Sequence, residues 1–228
     1  MADLPIFYAY PEAALFGQML PKSKIYQHGT VSTKLKGTFI EQVERIVWKY
    51  KLAPETINIA ATESVPEIQI FEVTLKGEEL SQDLLKAIDK AIPIPILFEL
   101  RRAQQLKVIA TFKRQSEADS EKWVISDYFE TGWVAADRER VPLPVTRNLE
   151  RLYQQLLQPL MPHTGKEKES TQEQVERMER IHAKEREIAK IQTKLRREKQ
   201  YNRRVEINAA LKAEKRELTR LQSSKGTE

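Results

Sequence analysis

The chain has no cysteine among its 228 residues. Disulfides, thiolate nucleophiles and cysteine-ligated metal sites are excluded together. Histidine is scarce: His28, His163 and His182 stand alone, and none has the spacing of a metal-ligand pair. His163 falls in a polar stretch and His182 on a charged helical pattern, so both read as solvated side chains. Glycine numbers only 7. No GxxxxGK or GxGxxG string gathers these glycines, so no phosphate-cradling loop is expected, which argues against an ATPase or a methyltransferase in this chain. No serine occupies a nucleophile elbow. Long apolar runs are missing too, and no stretch approaches the roughly 18 residues of a membrane-spanning helix. The opening "MADLPIFYAYPEAALFG" lacks a basic leader followed by a long apolar run, so no signal peptide is expected. A cytoplasmic protein without metal, cofactor or membrane partner is the resulting expectation.

What is present is charge, unevenly spread. Hydrophobic residues make up 40%, enough for a core, while charged residues reach 31% and the net charge is +5. Residues 166–228 hold 18 Lys+Arg and 12 Asp+Glu, a net of +6; of the chain's 38 basic and 33 acidic groups this leaves 20 and 21 for residues 1–165, a net of −1. Proline and glycine punctuate the first part and nearly vanish from the second. The pattern predicts a globular domain over residues 1–160, a polar linker over 161–171 ("MPHTGKEKES" within it) and a basic helical tail over 172–224.

Along the globular part, Pro5, Pro11, Gly17 and Pro21 break the first apolar residues into turns. "TFIEQVERIVWKYKL" reads as a helix with Thr38 as N-cap and Glu41 as its capping-box partner. Ile40, Val43, Ile46, Val47 and Tyr50 then share one face. "ETINIAA" and "EIQIFEVTLK" read as strands, turning at Lys76-Gly77. "SQDLLKAIDKAI" is a helix capped by Ser81, with Leu84, Leu85, Ile88 and Ile92 as its buried stripe. Pro93 and Pro95 stop it and hold the connection extended into the strand "ILFEL", where a leading proline is tolerated. "LKVIATFK" and "KWVISDYFETGWV" are two more strands. "VTRNLERLYQQLLQPL" is a further helix with Leu149, Leu152, Tyr153, Leu156 and Leu157 inward. The order predicts an α+β or α/β fold: a mixed sheet of about five strands with flanking helices.

From Thr171 a charged helical pattern follows. Its apolar seam includes Ile181, Ile188, Ile191, Leu195, Val205 and Leu211, but the heptad is imperfect. Ile181, Ile188, Leu195, Asn202 and Ala209 are seven apart, while Lys184 and Glu198 occupy the second positions. A long helix completed by a partner and a coiled-coil-like hairpin turning near "KQYN" both fit. The seam residues are therefore candidate docking positions for another protein, or for self-association through the tail. "KLRREKQYNRRVE" packs Lys194, Arg196, Arg197, Lys199, Arg203 and Arg204 into eleven residues around Tyr201. Such a density of cations releases counterions from a phosphate backbone, against the plainer reading of a solvated helix face. Lys22 and Lys24 in "LPKSKIY" read as an exposed turn with a weaker claim on phosphate.

One enzymatic alternative is a divergent magnesium-dependent nuclease. A helix with Glu41 and Glu44, two strands, a helix and a strand loosely resemble restriction-endonuclease-like folds. Glu63, Glu67 and Glu72 with Lys76 would line the strand pair, and Glu67, Glu72 and Lys76 are the candidate catalytic set. That chemistry needs carboxylates converging on a hard cation, with a lysine near the attacking water. The acidic-x-Lys string is absent, and Glu67, Gln69 and Thr74 equally suit the wet face of a half-exposed strand.

At "LPKSKIY", "FIEQVERIVWKYKLAPETINI", "EIQIFEVTLK", "AIDKAIPIPILFEL", "YFETGW" and the tail string "EKQYNRRVEINAALK", the sequence resembles an uncharacterised bacterial family, domain of unknown function 4391. The resemblance covers most of residues 15–222 and carries no catalytic residues. It implies a genomic setting beside helicases and DNA methyltransferases in restriction-like, anti-phage loci. The expectation is a non-catalytic accessory subunit whose tail docks a helicase or methyltransferase chain and touches nucleic acid. The alternatives are the nuclease and a stand-alone nucleic-acid binder.

Overall fold

The computed structural model describes residues 7–28, 31–116, 119, 122–163, 165–166 and 169–223. The expected break at Pro5 and the side chain of His28 lie outside the described residues, as does part of the expected linker. The chain divides into two compact units, Met1–Pro162 and His163–Glu228.

The first unit is built on a mixed sheet. Its strands are β2 (Leu15–Met19), β3 (Val43–Leu52), β4 (Ile68–Leu75), β5 (Ile96–Arg102), β6 (Gln105–Gln115) and β7 (Trp123–Glu130), in that spatial order, and β8 (Val134–Ala135) pairs with β6 as a seventh. β1 (Tyr8–Ala9) and β9 (Val141–Pro142) form a separate parallel pair. All neighbours in the large sheet run antiparallel except β4 and β5. That parallel pair needs a crossover, and helix α4 (Gln82–Ala91) supplies it. Ser81 caps α4 by accepting from the Asp83 amide at 3.3 Å. The α+β class is as the sequence predicts; the sheet has seven strands rather than about five.

One face of the sheet is apolar because alternate residues point the same way. Phe71 and Val73 of β4, Phe98 and Leu100 of β5, and Ile109 of β6 lie there, buried beneath Leu84, Leu85 and Ile88 of α4. Phe39 of α2 (Thr33–Gln42) and Ile25 of α1 (Lys22–His28) join the same cluster. Helix α5 (Leu149–Leu157) buries Leu149, Leu152, Tyr153, Leu156 and Leu157, capped by Asn148 at 2.9 Å.

Three expectations are corrected here. "TFIEQVERIVWKYKL" is the end of α2 followed by strand β3. Ser32, not Thr38, is the N-cap, accepting from the Leu35 amide at 3.2 Å; Thr38 lies inside the helix and donates to the Lys34 carbonyl. The apparent helical stripe has a cause. An irregularity in the β3–β4 register between Val43 and Arg45 turns Val43 and Ile46, three residues apart, into the same core. "ETINIAA" is not a strand either. Pro54 opens a short helix, α3 (Pro54–Ile57), and Asn58 ends it at φ 53°, leaving Ala60 a single bridge to Asn148. Finally, "LPKSKIY" belongs to α1 rather than to a turn. Lys22 is spent on the end of α2, donating to the Phe39 and Val43 carbonyls at 3.1 and 2.5 Å.

The second unit is a helical hairpin. Helix α6 (Thr171–Arg197) opens with a full capping box between Ser170 and Glu173. Glu198 to Gln200 make the turn, and α7 (Tyr201–Gln222) returns. Lys184 on α6 meets Glu214 on α7 at 2.5 Å. Arg177 clamps Glu169 through two nitrogens, at 2.6 and 2.8 Å, and this fork holds the segment before α6 against its first turns.

Candidate nucleic-acid interface and the buried charge clusters

The hairpin turn brings the predicted cations together at one end of the second unit. Lys194, Arg196 and Arg197 are on the last turn of α6, Lys199 is in the connection, and Arg203 and Arg204 are on the first turn of α7. Their local acid, Glu198, is committed to the turn: its carboxylate accepts from the Lys199 and Gln200 amides at 2.8 Å each. Those bonds, with Lys194 and Arg203 nearby, hold its carboxyl below the usual range. Among the described residues none of the six cations sits in an ion pair. Tyr201 is 79% exposed between them. A shallow hollow along α6 is lined by Lys190, Thr193, Lys194 and Arg197. The tip thus gathers four arginines and two lysines around an exposed aromatic ring, a combination that can meet a phosphate backbone and stack on a base.

The expected docking seam is divided by the structure. Ile181, Ile188 and Leu211 are buried, so a partner would have to open the packing to reach them. Ile191 and Leu195 are half-buried, and Val205 is 53% exposed.

The candidate nuclease set does not converge. Glu67 precedes β4 and meets Lys51 at 3.4 Å and Gln69 at 2.5 Å. Lys76 lies past the end of β4 and donates to the Ile40 carbonyl at 2.7 Å. Glu72 is mid-strand, buried, and held by Lys49 at 2.5 Å and Arg101 at 2.6 Å, with Arg45 farther off at 3.8 Å. Burial alone would raise the Glu72 carboxyl; Lys49 and Arg101 more than offset it and hold the carboxyl below the usual range. Its register partner Glu99 is gripped by both Arg140 nitrogens, at 2.7 and 3.1 Å. Two side-by-side carboxylates repel, and on this face each has its own guanidinium. A hard cation needs lone pairs that these contacts already occupy. Among the described residues no group of three His, Asp or Glu is arranged to hold a metal.

One charge cluster escaped the sequence reading. Asp89 of α4 meets Lys113 of β6 at 2.6 Å, with both side chains fully buried. Lys113 also donates to the Ile92 and Ile94 carbonyls at 2.9 and 2.8 Å, and Tyr128 donates to the other Asp89 oxygen. Burial pushes Asp89 up and Lys113 down, each toward its neutral form, and their mutual attraction opposes it. Burial beside Asp89 pushes the Tyr128 hydroxyl far up. Tyr153 seals the same place from α5. Its hydroxyl donates to the Thr111 carbonyl at 2.5 Å and accepts from the Lys113 amide at 3.0 Å, where the β6–β7 register slips. The signal in the sequence is a charged residue in an inward slot: Asp89 stands four after Leu85, on the buried side of α4.

The family model described as a domain of unknown function, number 4391, matches residues 9–218. The chain therefore belongs to that family. No curated protein and no solved structure matches it. Among the described residues no helix is long and apolar enough to cross a membrane.

Proposed function

We propose that the protein is a non-catalytic, cytoplasmic accessory subunit of a restriction-like bacterial defence system. It works beside a helicase or DNA methyltransferase chain, and its hairpin tip contacts the DNA backbone. The observation that carries this reading is the tip itself: six cations outside any described ion pair around an exposed tyrosine, with the local carboxylate tied to the turn. The defence setting rests on the genomic neighbours that the resemblance implies. For docking, Ile191, Leu195 and Val205 are the seam positions still accessible near the tip. The nuclease alternative has no comparable observation behind it, because Glu72 is paired with three cations and lies apart from Glu67 and Lys76. A stand-alone binder would use the same tip and differ only in needing no partner.

The test uses the full chain and a short DNA duplex across a salt series. Replacing Arg196, Arg197, Arg203 and Arg204 with Ser should flatten the dependence of log affinity on log salt by up to about 3 to 4, at about 0.9 per lost phosphate contact. Thermal stability should stay unchanged and the DNA should be recovered uncut in magnesium. A variant that binds like the parent, or a parent that does not bind, would overturn the reading. Recovery of a helicase or methyltransferase chain with the protein from its native host separates the subunit from the stand-alone binder.

A further inference from the structure

The helical layer of the first unit carries another cationic surface, separate from the tip. Helices α1, α2 and α4 expose Lys24, Lys34, Lys36, Lys86 and Lys90. The carboxylates on the same helices are Glu41 and Asp83, with Asp89 turned inward onto Lys113. Composition does not produce this, since residues 1–165 hold 20 basic and 21 acidic groups and an even spread would leave the layer neutral. The lysines have been sorted onto the outer side of the helices that cover the core.

Between α2 and α4 runs an open groove of about 430 Å³. Lys34 lines it from α2, and Lys86 and Lys90 from α4, one turn apart on the same side of that helix. The Thr38 hydroxyl lies along it, and Asp83 is its one carboxylate. Among the described residues none of the three lysines is in an ion pair. We infer that this groove is a second DNA contact, on the folded unit, occupied by phosphodiester oxygens. Charge complementarity selects the occupant. The lining cations are all Lys, which engages phosphate as a point charge and does not demand the planar, bidentate partner that Arg prefers. The apolar lining is limited to Leu35 and Ala87, too little for the buried side-chain anchors that hold a protein segment.

This inference rests on the DNA-contact reading of the tip, and its test separates the two. Three full-length variants are compared with the parent on one duplex across a salt series: a groove variant (Lys34→Ser, Lys86→Ser, Lys90→Ser), the tip variant above, and a charge-matched control (Lys122→Ser, Arg147→Ser, Arg151→Ser) on exposed residues elsewhere in the first unit. The groove variant should flatten the salt slope by about 2 to 3, the control should leave it near the parent value, and groove and tip losses should add. A groove variant with the parent slope overturns the groove and leaves the tip. A tip variant with the parent slope and a weakened groove variant overturn the tip and keep the groove. Equal losses in groove and control mean net charge alone is at work, which also overturns the groove. So does loss of a polyglutamate peptide by the groove variant while DNA binding is unchanged, since the groove would then serve an acidic protein.

Discussion

The Lys113 side chain is fully buried. Its ammonium is enclosed by the Asp89 carboxylate and the carbonyls of Ile92 and Ile94, which use all three of its protons. A buried pair of this kind adds little net stability against an apolar pair of the same size, because desolvating both charges offsets their attraction. Removing one partner is different. Lys113→Met leaves the buried Asp89 carboxylate without its counter-ion, although Tyr128 still donates to it, and takes a donor away from the Ile92 and Ile94 carbonyls; it should destabilise by about 3–5 kcal/mol in urea unfolding. Asp89→Leu in the same background should recover much of that loss, so the two changes are strongly non-additive. If Lys113→Met alone stays within about 1 kcal/mol of the parent, the cluster is not a fixed contact of the folded protein.

At the scale of elements, the double proline gains a purpose from the same lysine. Pro93 and Pro95 hold Ile92 and Ile94 out of helical angles, so that both carbonyls turn toward Lys113. The Pro95 carbonyl accepts from the Gln69 amide at 2.9 Å, which starts the β4–β5 register. Pro93→Ala with Pro95→Ala should cost about 1–2 kcal/mol, mostly by freeing the unfolded chain, and lower the melting temperature by about 2–8 °C. DNA affinity should not change. Lost affinity with unchanged melting would instead make the segment a binding site. The sequence made this hinge legible, along with α4, β4, β5 and α5, because each had a clean period or a strong stop. It hid β3, where a bulge set Val43 and Ile46 three apart in a helical imitation. It hid the Asp89–Lys113 contact as well, since a pairing across 24 positions leaves no local trace. The tip cations were legible as a run; that they meet at a turn depends on Glu198 holding two amides, which spacing alone does not reveal.

Across the whole molecule, stability is graded toward the proposed binding end. Among the described residues of the second unit the buried side chains are Gln174, Val175, Arg177, Met178, Ile181, Ile188 and Leu211. Between Ala189 and Ala210, through the turn and the cations, no residue is buried. That stretch is held mainly by backbone hydrogen bonds, which leave isolated helices marginal in water, and the N-cap of α7, Gln200, makes no side-chain cap. Local opening free energy should therefore fall along the hairpin, from near the global value around Met178 toward zero at Tyr201. Amide hydrogen exchange measures this directly. Protection should be highest at residues 175–182, intermediate around Ile188 and Leu211, and lowest from 194 to 206. Duplex DNA should raise protection in the last segment, because phosphate contacts bind the ordered tip and not the frayed one. Uniform protection along α6 and α7 would remove the gradient. A DNA-induced gain confined to residues 175–182 would place the contact at the opposite end of the hairpin from its cations.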